Sequence, residues 1–189
     1  MGRGHTLHFS ERASIAARMG VEEHGLILRC RWFLERWDTI DEDISSAVLR
    51  ANPRRYGRPK RDDLGYNAVV DGGETLALQL LVASGGTALN NANARIGVGD
   101  SNAAFADTHT DLQAASNKAY LAMNATYPTA PASGSTTFQA DANASTALYA
   151  WNEFGLFNGN PGTMFSRKVQ SFGTHAAGVW TISVVLSAD

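Results

Sequence analysis

The residue in this chain best placed to do chemistry is Glu153. It stands in the run Trp151-Asn152-Glu153-Phe154-Gly155-Leu156-Phe157, an apolar strand pattern. A carboxylate in such surroundings needs a partner, because burying an unpaired charge is costly. It could act as a general acid, or it could be neutralised in an ion pair. Arg167 lies on the next strand-like run, across the turn formed by Asn158, Gly159, Asn160, Pro161 and Gly162. A structural pair between Glu153 and Arg167 is the reading adopted.

The other reactive residue types do not assemble into a centre. His5, His8, His24, His109 and His175 are scattered, and no two have the spacing of a helical zinc motif. Asp38, Asp41, Glu42 and Asp43 form an acidic cluster, but they lack the ligand spacing and glycine of a calcium loop. They read as a solvated face, or as partners for nearby arginines. No serine sits in a Gly-x-Ser-x-Gly elbow. Gly97-Val98-Gly99-Asp100-Ser101-Asn102 has a glycine pair but neither a dinucleotide fingerprint nor a Walker lysine. It reads as a turn after a strand. Cys30 is the only cysteine, which excludes an intrachain disulfide and a thiolate cluster built from one chain. It reads as a small buried apolar residue. No enzyme activity, cofactor or metal is expected.

The elements that must position these residues are mostly strands. Leu26 to Leu34 alternates after Leu28, with Arg29 and Arg31 opposite Cys30 and Trp32. Further strands are expected at Arg95–Asp100, Tyr120–Tyr127, Thr136–Ala142, Leu148–Phe157, Thr163–Phe172 and Val179–Ser187. The last is the cleanest: Trp180, Ile182, Val184 and Leu186 share one face, opposite Trp151 or its neighbours. Helices are expected over Ser10–Met19, over Thr39–Leu49 with Glu42 closing a capping box, and as a turn from Thr110. A strongly apolar helix, about 74–84, should be packed on most sides. The fold class is mainly β with a few helices, an antiparallel β-sandwich body with an extended N-terminal arm.

Charge divides the 189 residues unevenly. Residues 1–65 hold most of the basic side chains, although the net charge is -2. Residues 66–189 are poor in charge and rich in Ala, Gly, Thr, Ser and Asn. The division expected is a charged arm over 1–65 and a β-sandwich body over 66–189. Asn52 to Asp63, with Asn52-Pro53 and Arg58-Pro59, reads as a linker too polar to order itself, to be held by another subunit. Arg54, Arg55, Arg58, Lys60 and Arg61, with Trp32 and Trp37, are assigned to an assembly interface. Docking on an acidic protein surface suits this cluster better than nucleic acid, since Tyr56 is its only interleaved aromatic. No apolar run reaches the length of a membrane span, and no signal-peptide core follows Met1, so a protein made in a cytoplasm is expected.

Residues 67–189 resemble a group of small structural proteins of tailed-bacteriophage virions. The likeness runs through Asn67-Ala68-Val69-Val70-Asp71-Gly72-Gly73, through Arg95-Ile96-Gly97-Val98-Gly99-Asp100-Ser101, and through Thr110-Asp111-Leu112-Gln113 and Lys118-Ala119-Tyr120-Leu121-Ala122-Met123. It continues in the Trp-x-Glu-x-Gly-Leu-Phe strand, Arg167-Lys168-Val169 and Gly178-Val179-Trp180-Thr181. A looser likeness extends to baseplate-proximal domains of phage tail fibres. The resemblance implies a virion component, made in the host cytoplasm, whose partners are the major capsid protein or tail proteins. It further implies a symmetric arrangement of copies in the particle. An accessory capsid protein that decorates or cements the shell is the expectation. The alternatives are a tail, baseplate or fibre-attachment protein and a carbohydrate-binding module for host adhesion; a hydrolase fits least.

Overall fold

The computed structural model describes residues 27–188 other than 41, 68 and 161. The described residues form eight strands in two four-stranded sheets. The first has the order β2 (Lys60–Asn67), β1 (Leu28–Trp37), β8 (Val179–Ala188), β5 (Ser135–Ala142). The second has the order β4 (Lys118–Ala122), β3 (Arg95–Gly99), β6 (Glu153–Phe157), β7 (Met164–Val169). All pairings are antiparallel. The sheets close on one apolar core to give a β-sandwich. Trp32, Leu34, Phe138, Trp180, Ile182 and Val184 come from the first sheet, and Ile96, Val98, Phe154, Leu156 and Phe165 from the second. Trp180 and Trp151 meet edge to face with ring centroids 4.9 Å apart. Short bridges, Val69 to Ser166 and Met123 to Ala140, tie the sheet edges together on both sides. Such stitching leaves less open strand edge for unwanted pairing.

The strand β1 lies in the middle of its sheet, and this overturns the expected division at residue 65. It pairs with β8 along its whole length, Leu28 opposite Ala188 through Trp37 opposite Val179. The polar segment expected to be a linker forms a short helix (Pro53–Tyr56) and then β2, held by β1 of the same chain. Its polarity is that of an edge strand, where Leu64 alone is buried. The body therefore begins at Ile27 among the described residues. The helix expected over Ser10–Met19 lies outside them.

Three helices are described: α1 (Ser46–Ala51), α2 (Pro53–Tyr56) and α3 (Asp71–Leu81). The Thr39 capping box does not form. Instead α1 starts at Ser46, whose N–H donates to the Asp141 carboxylate on β5 at 2.7 Å. Leu49 of α1 packs with Trp37 and Val179 on the outer face of the first sheet. Under α1, Asp141 also accepts from Thr181 (2.8 Å) and Asn124 (2.9 Å), and Gln139 donates to Ser183 at 3.0 Å. The face of β8 carrying Thr181 is covered by α1, and Thr181 is fully buried.

The helix α3 also differs from expectation. Only Gly73 and Leu76 are buried. Gly73 lies so close to β7 that a Cβ there would stand 2.2 Å from the Phe165 carbonyl oxygen. Ala77 is half-buried against the core, while Leu78, Leu80 and Leu81 are exposed. Residues 110–113 form no helical turn; Asp111 bonds the Leu112 N–H at 2.8 Å in a loop.

Candidate functional site

The outer face of the second sheet holds the Glu153–Arg167 pair. Gly97 sits opposite Gly155 and Gly99 opposite Glu153. Arg167 on β7 sits opposite Gly155, one diagonal step from Glu153. Glycine at 99 is required by the pair: a Cβ there would meet Glu153 Oε1 at 2.6 Å. At 97 it would meet the Phe157 ring at 2.7 Å and Leu112 at 3.0 Å. The glycine pair thus clears space for a carboxylate and a ring, and cradles no phosphate.

Both charged side chains are fully buried. Arg167 Nε donates to Glu153 Oε2 at 2.8 Å, and Nη2 reaches the same oxygen at 2.8 Å. Nη2 also donates to the Ala103 carbonyl (3.0 Å), and Nη1 to the Ala104 carbonyl at 3.3 Å. Nη1 lies 3.2 Å from His109 Nδ1, which also accepts the Ala106 N–H at 3.1 Å. Two donors aimed at Nδ1 make it the acceptor and place the ring proton on Nε2. Every guanidinium N–H is then used. The carboxylate in turn accepts the Gln113 N–H at 2.9 Å and the Ala114 N–H at 2.7 Å. The pair staples the long connection between β3 and β4 onto the sheet. Both groups are fully buried and bonded to the chain's own groups, so the pair serves to hold this connection in place.

Beside it, Asp111 accepts from Lys118 at 2.7 Å and from the Tyr120 hydroxyl. Burial acts to raise the Asp111 carboxyl, but Lys118, Tyr120 and the Leu112 N–H outweigh it and hold it below its ordinary value. Burial and the neighbouring Asp111 push the Tyr120 hydroxyl up. Burial likewise pushes the Cys30 thiol up to about 12. The sequence held no local signal for this cluster, since its residues lie on a loop and a strand that meet only in the fold.

The residues assigned to an assembly interface separate into two groups. Arg54, Arg55, Arg58, Lys60 and Arg61 are all exposed, on α2, on β2 and on the link between them. Arg55 approaches Glu42 at 3.4 Å and covers Tyr56, and Arg61 lies over Phe33 and 3.9 Å from Glu35. Arg31 and Asp63 pair across β1 and β2 on the same face. Trp32 and Trp37 do not join this surface. Trp32 belongs to the central core and Trp37 to the cluster under α1, with exposures of 0% and 3%. Alternation on β1 turns Trp32 inward with Cys30 and Leu34, and α1 covers Trp37. Trp151 and Trp180 lie in the core.

A recess of about 340 Å³ is lined by Arg36, Asp38, Phe172 and Trp180, among others. Arg36 bonds Asp62 at 2.7 Å and stacks over Trp180, whose indole N–H donates to Asp38 at 2.9 Å. Among the described residues, no group of three His, Cys, Asp or Glu is placed to hold a metal ion. No described helix is long and apolar enough to cross a membrane. Comparison with protein-family models, curated proteins and solved structures returns no match.

Proposed function

We propose that this chain is a non-enzymatic structural component of a tailed-phage virion, an accessory protein that binds the capsid shell. The observation that carries the reading is the row of five exposed cations, Arg54, Arg55, Arg58, Lys60 and Arg61, on one edge of a rigid sandwich. Arg55 approaches Glu42 at 3.4 Å and Arg61 approaches Glu35 at 3.9 Å. Such a row suits an acidic protein surface, where several desolvated pairs act together. The motif resemblance over residues 67–189 supplies the virion context. The best-formed charged cluster, Glu153 with Arg167, is used to hold a loop, which agrees with an assembly role.

The tail or baseplate reading shares the same surface chemistry, and copy number separates the two. The carbohydrate-binding reading needs exposed Trp or Tyr rings for stacking; all four Trp are 0–3% exposed, and Tyr66, at 55%, stands alone with the Arg31 guanidinium over its ring. The test is incorporation. Charge reversal at Arg54, Arg55 and Arg58 should leave a folded protein that no longer joins particles in a complementation assay. Normal incorporation of that variant would remove the basis of the proposal.

A further inference from the structure

The strand β2 leaves part of its outer edge open. It stands at the end of its sheet and pairs only with β1. Two other edge strands are closed in part by the chain itself. On β5 the Gln139 carbonyl accepts the Asn124 N–H at 2.8 Å and the Thr137 carbonyl accepts the Thr129 N–H at 2.9 Å. On β7 the Phe165 carbonyl accepts the Val70 N–H at 3.0 Å. Near the end of β2 the Tyr66 carbonyl accepts from Lys168 at 3.2 Å. Among the described residues, no backbone hydrogen bond outside the β1 ladder reaches Lys60, Arg61, Asp62 or Asp63. Alternate N–H and C=O groups of an edge strand point away from its neighbour, so this stretch presents a short row of donors and acceptors open to pairing.

The charges around this edge say what fits it. Its own carboxylates are held within the chain, Asp62 by Arg36 at 2.7 Å and Asp63 by Arg31. Glu35 is held by Arg50 at 2.6 Å. The cations are not matched in the same way. Arg54, Arg58 and Lys60 form no ion pair among the described residues, and Arg61 stands 3.9 Å from the Glu35 that Arg50 already holds. An edge charged in this way repels a basic strand, and a neutral strand laid on it would leave Lys60 and Arg61 without a counter-charge. An acidic strand supplies the counter-charge together with the missing hydrogen bonds.

We propose that β2 takes an acidic, extended segment of a partner protein as an added strand along Lys60–Asp63. Strand addition draws its affinity from main-chain hydrogen bonds and its selectivity from alternating side chains. Lys60 and Arg61 face the carboxylates of the added strand across the ladder. Arg54 and Arg55 on α2, and Arg58 on the link that leads into β2, extend the cationic field beyond its end. The proposal rests on the reading above that this cation row docks a protein, and it adds the form of the docked segment.

The test is a titration of the full-length, isotopically labelled chain with a capped octapeptide of alternating Glu and Val, followed by NMR. Binding should slow hydrogen exchange at alternate N–H groups within Lys60–Asp63, the mark of a new ladder. Methylating two adjacent backbone nitrogens at the centre of the peptide keeps its charge and blocks both of its edges. That change should weaken binding about tenfold or more. Lys60→Glu combined with Arg61→Glu should weaken it at least as much and keep native circular dichroism, because both side chains are exposed. Equal binding of the methylated and unmethylated peptides overturns strand addition and leaves docking by charge alone. No binding of the unmethylated peptide also overturns it. Strand addition by the peptide, together with normal incorporation of the variant reversed at Arg54, Arg55 and Arg58, would remove the shell as the partner and keep the strand site.

Discussion

Arg167→Met would remove the guanidinium while keeping much of its length. The fully buried Glu153 carboxylate would retain the Gln113 and Ala114 N–H donors but lose its counter-charge. The Ala103 and Ala104 carbonyls and His109 Nδ1 would each lose a donor. Breaking a buried pair by removing one partner costs about 3–5 kcal/mol. Orphaned carbonyls would add roughly 1–3 kcal/mol each if they stayed dry, but they belong to a loop that can open to water, so the pair figure governs. That loss is a large share of the about 5–15 kcal/mol that stabilises an ordinary domain. The assay is urea unfolding followed by tryptophan fluorescence. Glu153→Leu should cost a similar amount by stranding Arg167, and the double variant should cost less than the sum of the two. Hydrogen exchange at Gln113 and Ala114 should quicken in Glu153→Leu and in the double variant, which remove the acceptor of both N–H groups. Single variants with the wild-type urea midpoint, and unchanged exchange in Glu153→Leu, would refute the reasoning.

Other outcomes follow from the same geometry. Trp180→Ala should cost roughly 3–5 kcal/mol in urea unfolding, since it empties the centre of the core. Thr181→Val should cost about 1–3 kcal/mol, because Asp141 loses a donor under α1. The Cys30 thiol, fully buried and pushed up to about 12, should react with a disulfide reagent only at the rate of unfolding. Asp111 has a folded value below its unfolded one, so its stabilisation is full above the unfolded carboxylate range and is lost as pH falls through the folded value. Asp111→Asn should therefore lower the melting temperature at neutral pH, and the gap to wild type should close in acid.

Strands whose faces differ in polarity were legible from sequence. The period of two in β8 and in β1 put Trp180, Ile182, Val184, Cys30 and Trp32 on inward faces. The same alternation argued against offering Trp32 to a partner. The β2 strand was not legible, because an edge strand with one buried residue looks like a polar linker. The start of α1 was hidden because its capping carboxylate, Asp141, is 95 residues away. The Glu153–Arg167 pair could be read because a turn separates adjacent strands. The loop it holds could not, since Gln113, Ala114, Ala103 and Ala104 contribute only backbone groups, which leave no mark on residue type. The α3 composition showed an apolar helix but not which side the sandwich would leave open.

The place we propose for this chain is a virion shell. Quantitative mass spectrometry of purified particles, made by the genome that encodes it, tests the claim most directly. The chain should co-purify with the particle, in copies that scale with the major capsid protein. A chain found in the host lysate but missing from washed particles would contradict it. A count equal to a small multiple of three or six would move the protein from the shell to the tail.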